Sequence, residues 1–276
     1  MYRFILSFQL LLLLAPTIVA QVTIAPTNLF LDSNTRFGTY MVINGSNEVQ
    51  EVSVDFLFAY NNADASGDRS IIQDDSSEIA KTYSIADRLR AFPQNFTLTP
   101  GQRQVIRLRI SNTSDLGPGT YWSRIKTTSQ KQAPPIELTS DEIVSAQIGI
   151  IIEQVTGLYF KNGDVSTGIE VEDISSSINE KDQLEILTSF LRTGNSPFLG
   201  TVTVSLKNSA GTVVREAPVT TTYFFDGVHK QTFDIDDLPP GTYSIDVEFE
   251  SRRDDVPSTD IVQMSTVTKS STYTIR

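Results

Sequence analysis

The sequence predicts an all-β chain folded as two immunoglobulin-like β-sandwich domains in tandem, and three observations carry that prediction. Apolar residues recur with period two in short runs bounded by Gly, Pro, Asn and Asp, and no stretch sustains a 3.6-residue period. One phrase, Asp-Leu-x-Pro-Gly-Thr-Tyr, is written once in each half, at 115–121 and again at 237–243. The 276 residues, less an N-terminal leader, also fit two domains of about 100–150 residues each.

The alternating runs follow in order. In the first half they are QEVSVDFLFAY (50–60), RQVIRLRIS (103–111) and TYWSRIKTT (120–128). SAQIGIIIEQV (145–155) is more continuously apolar, as in a strand buried on both faces or awaiting a partner. The second half repeats the style in QLEILTSFLRT (183–193), GTVTVSLKNSAGTVVRE (200–216), KQTFDID (230–236) and GTYSIDVEFES (241–251). KNSAG places its Gly where a hairpin needs it. The best helical candidate, 76–92, leads into FPQNFTLTPGQ and reads as a loop with a short helical turn before an extended segment. The polar stretches 61–81 and 129–142 read as surface loops, and 159–168 clusters the Asn, Gly, Asp and Ser of a boundary. The expected division is a signal peptide at 1–20, one sandwich at 21–160 and a second at 161–276.

Residues 1–20 carry Arg3, an apolar stretch FILSFQLLLLLA and a small residue, Ala20, before Gln21. That pattern is a secretory signal peptide, after whose removal no integral membrane insertion is expected. With 33 acidic against 22 basic residues, the charge balance argues against nucleic acid and anionic membrane surfaces as partners. There is no cysteine, so no disulfide framework or thiolate chemistry is available and stability must come from packed cores.

Enzymatic chemistry has little to work with. His229 is the single histidine, lies beside a turn signal, and has no nucleophile motif near it, so it reads as a surface residue. The pairs Asp74–Asp75, Asp236–Asp237 and Asp254–Asp255 read as solvated turn formers rather than a calcium loop. Trp122, Phe224 and Phe225 sit in strand patterns and read as core. Three Asn-x-Ser/Thr matches, at Asn44, Asn95 and Asn112, read as turn residues. No catalytic residue, metal ligand or cofactor is assigned.

The repeated phrase has a physical reading. In immunoglobulin-like sandwiches a Tyr near the start of strand F bonds back to upstream backbone and pins the corner. Leu116, Gly119 and Tyr121 meet that pattern, as do Leu238, Gly241 and Tyr243. Tyr121 and Tyr243 are therefore the expected corner residues.

The order VTIAPTNLFLDSNTRFGTYMVINGSNEVQEVSVDF (22–56), FPQNFTLTPGQRQVIRLRI (92–110), LGPGTYWSRIKTT (116–128) and QIGIIIEQVTGLYFKNG (147–163) resembles the periplasmic pilus-assembly chaperones of the PapD type. The resemblance spans nearly the whole chain, and implies two sandwiches in a boomerang-like arrangement. It implies a non-enzymatic chaperone that caps an incomplete pilin-like subunit by lending it a strand, with an outer-membrane usher as a further partner and a periplasmic location. The lending segment would fall within 143–152, where one face presents Val144, Ala146, Ile148, Ile150 and Ile152. Leu138, Ile143, Val144, Ala146 and Ile148 are the candidate partner-strand residues, although 148–152 read better as filling the domain's own core.

Such chaperones anchor the subunit's terminal carboxylate with an Arg of the first strand and a Lys of the last. By position these fall near Asn28 and Gly149, and neither is basic. Arg124 and Lys126, on the Tyr-Trp strand, are the nearest candidates for a replacement anchor. The alternative is an immunoglobulin-like adhesive or structural protein, secreted or held at the cell surface, that keeps the fold without lending a strand.

Overall fold

The computed structural model describes residues 22–133 and 149–276. The first strand divides between two sheets: β1 (Val22–Ala25) joins one, the chain passes Pro26, and β2 (Asn28–Asp32) joins the other. The first sheet runs β1, β3 (Phe37–Asn44), β9 (Arg103–Ile110), β7 (Leu89–Phe92). The second runs β2, β11 (Ile151–Asn162), β10 (Gly119–Lys131), β4 (Gln50–Leu57), β8 (Asn95–Leu98). Every pairing is antiparallel except β2 on β11, which is parallel. Between the sheets lie Val42, Val54, Ile106, Leu108, Ile125, Leu158 and Phe160, fully enclosed, as the period-two pattern of each strand requires.

The second sandwich packs the sheet β12 (Thr167–Ile178), β13 (Leu184–Gly194), β16 (Gly227–Phe233) against β15 (Val213–Tyr223), β14 (Phe198–Lys207), β17 (Gly241–Glu250), β18 (Val267–Ile275). Its core holds Ile186, Phe190, Phe198, Val204, Ile245, Val247 and Phe249. The β14–β15 hairpin closes through Asn208–Gly211, where Gly211 has φ +79° and Asn208 Oδ1 accepts from two backbone amides, the left-handed geometry that favours glycine.

Both repeats of the shared phrase make the same bond. Tyr121 Oη donates to Gly117 O at 3.1 Å, and Tyr243 Oη donates to Pro239 O at 2.8 Å. Each Tyr thus ties the start of its strand to the turn four residues upstream.

The segment read as one long surface loop is structured. β5 (Ala59–Ala63) and β6 (Arg69–Gln73) form a hairpin, followed by a helix α1 (Glu78–Tyr83) whose N-cap Ser77 accepts from Ala80 N. The hairpin reaches across to the second sandwich: Arg69 donates to Tyr223 Oη, and Lys230 pairs with Asp68. Its alternation is short and interrupted by polar residues, because one face meets the other domain rather than its own core.

The two sandwiches share a third apolar cluster. Phe58, Tyr60, Trp122 and Tyr159 from the first pack on Leu199, Phe224, Val256 and Ile261 from the second. Trp122 stacks on Tyr83 at 4.6 Å and lies 4.7 Å from Phe224. Of the aromatics read as core, Trp122 and Phe224 are buried between the domains, and Phe225 is half-buried beside them. His229 is a correction too. It is 1 % exposed, with Nδ1 2.7 Å from Tyr223 Oη. A lone His beside a turn gave no sign that another domain's hairpin covers it.

Candidate functional site

The outer edge of β11 divides at Gly157. From Gly157 to Lys161 it is paired with β2, in the register Gly157 to Asn28 through Lys161 to Asp32. Ahead of Gly157, residues Ile151–Thr156 pair only with β10, through Gln130 to Ile125. Among the described residues nothing pairs with their other edge. Six residues of strand at roughly 3.3 Å each make an unpaired backbone edge of about 20 Å.

Side chains on this stretch are unusually apolar for an edge. Ile150 is 61 % exposed, Ile151 62 % and Val155 53 %, with Ile152 half-buried. The expectation that 148–152 fill the domain's own core fails at Ile150 and Ile151. The reason is geometric: β10 and β11 run on together past the point where β2 covers β11. Leu138, Ile143, Val144, Ala146 and Ile148 lie outside the described residues.

Arg124 and Lys126 project from β10 on the face shared with Trp122. Arg124 is the cross-strand partner of Gly157 and, on its other side, of Leu57. Its Nε donates to Ala59 O at 3.2 Å, and its guanidinium lies 5.6 Å from the centre of the Phe224 ring, within cation–π range. It is half-buried at the mouth of the cleft between the domains, with no carboxylate of the described residues in ion-pair contact. Lys126 is engaged by Glu153 at 3.2 Å.

The register sets Gly157 opposite Asn28. A Cβ at 157 would stand 2.5 Å from Asn28 Oδ1, 3.1 Å from Tyr159 and 3.4 Å from Arg124 Nη1. Glycine here lets Asn28 and Arg124 close over the strand, so Arg124 takes space that a longer side chain at 157 would need.

Sequence reasoning missed a second cation in the cleft. Arg253 pairs with Asp255 at 2.7 Å and donates to Thr222 Oγ1, and Asn28 Nδ2 reaches Asp255 Oδ2 at 3.4 Å. Asp255 holds the Arg253 guanidinium in its charged form, and Arg253 in turn lowers the Asp255 carboxyl below its usual range. A polar chain thus crosses from the first sandwich to the second. In the sequence Asp254 and Asp255 read as solvated turn formers, whereas Asp255 is held by Arg253 and Asn28 at the domain contact.

At the hairpin contact, Arg69 donates to the Tyr223 hydroxyl at 2.9 Å, and that hydroxyl lies 2.7 Å from His229 Nδ1. The other ring nitrogen, Nε2, is buried with no hydrogen-bond partner among the described residues. Burial, with the nearby Arg69 charge, lowers the His229 pKa to about 4. Among the described residues no group of His, Asp and Glu is arranged to hold a metal ion.

No family model and no curated protein matches the chain. Among solved structures it resembles the YadV chaperone, with 11% identity over 93% of this chain and 100% of that one, at a TM-score of 0.47. It resembles the CsuC–CsuE chaperone–tip subunit pre-assembly complex of Acinetobacter baumannii, with 10% identity over 90% and 98% and a TM-score of 0.44. It also resembles the Salmonella enterica SafA pilin in complex with the SafB chaperone, with 11% identity over 95% and 99% and a TM-score of 0.41. At these scores the likeness assigns no activity to this chain.

Proposed function

We propose that the protein is an exported, non-enzymatic chaperone that holds an incomplete β-sandwich subunit by lending it the open edge of β11. The observation that supports this reading is the edge itself, with unpaired backbone over 151–156 and Ile150, Ile151 and Val155 exposed beside it. An unprotected apolar edge is an aggregation hazard that stable proteins ordinarily cover. A subunit lacking one strand has the complementary defect, so pairing gives backbone hydrogen bonds to both and buries the alternate aliphatics.

Arg124 is the proposed anchor for the subunit's terminal carboxylate. It stands at the cleft end of the lending edge, level with the Asn28–Gly157 pair, and has no ion-pair partner among the described residues. Lys126 is the weaker candidate because Glu153 already occupies it. The periplasm is the proposed location, a pilin-like subunit the proposed client and an outer-membrane usher a further proposed partner.

Co-export with a fibre subunit that lacks its final strand tests the reading. A one-to-one complex is expected, and Ile150→Asp should abolish it while the free protein stays folded. Recovery of monomer alone from wild-type chain would favour a structural surface protein.

A further inference from the structure

The outward face of the first sheet carries an arginine cluster that the strand-lending reading does not use. On β9, Arg103, Val105, Arg107 and Arg109 all point outward and are exposed. Beside them lie Phe37, 68 % exposed, on β3 and Phe92, 76 % exposed, on β7. The register sets Phe92 opposite Arg107, and Phe37 opposite Arg109, whose other neighbour is Arg90. Arg36, at the turn into β3, completes an open groove of about 1150 Å³.

Three features separate this face from ordinary solvated charge. Five arginines gather here in a chain with 33 acidic and 22 basic residues. Arg36, Arg90, Arg103, Arg107 and Arg109 make no ion pair with any described carboxylate, and the nearby Asp115 is taken by Arg88. Arg90 stands directly opposite Arg109, and like charges in that position destabilise a sheet. Arg90 donates only to the carbonyls of Asp87 and Leu89, so its neighbour's charge is not offset.

The geometry points to a docking face for a partner protein that presents an extended acidic segment with apolar residues interspersed. Guanidinium groups recognise carboxylates through paired hydrogen bonds. Phe37 and Phe92 gain from apolar cover, and arginine with aromatics is the composition that dominates binding energy at protein interfaces. Phe37 and Phe92 flank Arg109 and Arg107 from the two neighbouring strands, and positions i and i+2 repeat along a strand at roughly 6.6 Å, so a period-two segment can meet both charge and ring. An anionic bilayer also attracts exposed arginines, but it offers no period-two array of carboxylates and apolar side chains, and the test below separates the two. The face belongs to the sheet opposite the one that carries β11, so this partner and a strand-accepting client can be held together.

The test measures binding of a short soluble peptide in which glutamate alternates with leucine and threonine, using its lysine-for-glutamate counterpart as control. The full mature chain is compared with Arg107→Glu/Arg109→Glu, and the thermal midpoint of each confirms folding. Binding of the acidic peptide alone is expected, with affinity falling as salt rises and dropping on the order of tenfold or more in the double variant. Arg90→Gln should weaken binding less, and if the double variant fails to fold, this variant's loss of affinity decides the question. No binding of the acidic peptide, or equal binding by wild type and variants, would overturn the assignment. So would arginine-dependent binding of phosphatidylglycerol vesicles or heparin without peptide binding, which would give the face to a lipid or a polysaccharide.

Discussion

Asn28 and Gly157 lie opposite each other in parallel register, and the outer edge of β11 is paired from that point onward and open before it. The pair therefore marks where the strand stops serving its own domain. Arg124, level with Gly157 on β10, stands at the same boundary.

Ile150→Asp separates lending from folding. Ile150 is 61 % exposed, and substitutions at such positions normally change stability by no more than about 0.5 kcal/mol. Chemical denaturation should show a near-wild-type midpoint, while client binding is lost. Leu158→Asp is the contrast: its side chain is fully buried in the first core, so an uncompensated carboxylate there should leave little folded protein.

Arg124→Ala tests the anchor. A hydrogen bond to a charged group contributes about 1.5–3 kcal/mol, so affinity for the client should fall on the order of tenfold or more. A client with an amidated C-terminus should bind wild type and variant alike. Equal loss with both clients would mean that Arg124 acts only by packing on Phe224 and holding Ala59 O.

His229 makes stability depend on pH. Its folded pKa, about 4, lies below the ordinary 6.5, so between those values the unfolded chain binds more protons than the folded one. Stability is then complete above about pH 6.5, falls as pH drops towards 4, and levels off below. The full effect is about 3 kcal/mol. Urea unfolding at pH 7 and pH 5 should show the loss, and His229→Gln should remove this component; an unchanged difference would place the titrating group elsewhere.

Tyr243→Phe should cost about 1 kcal/mol by deleting the bond to Pro239 O, read as a lower denaturation midpoint. Tyr121→Phe should act in the same direction on the first domain.

Those two tyrosines mark what a single sequence can carry. The Leu-x-x-Gly-x-Tyr pattern is local, so its residues name both the corner and, by repetition, the number of sandwiches. Alternation is local as well, and it located most strands. What escaped depends on neighbours far away in the chain. The β5–β6 hairpin reaches His229 only through Arg69 and Tyr223 across the domain contact, and a surface loop and a lone turn histidine look the same before that contact is known. That Gly157 stands opposite Asn28 follows from a parallel register between strands far apart in the chain, which no local pattern carries. Arg253 is set in the cleft by Asp255 and Thr222, one of them thirty-one residues away. The arginines of β9 were visible as RQVIRLRI, but only the pairing with β7 places Arg90 against Arg109.

Hydrogen exchange along β11 bears most directly on strand lending. In the free chain, outward-facing amides of residues 151–156 should exchange quickly, while those bonded to β10 are protected. With a strand-deficient fibre subunit bound, the outward-facing set should slow markedly and the paired segment 157–161 should change little. A complex in which the 151–156 amides exchange as fast as in the free chain would contradict strand addition at this edge.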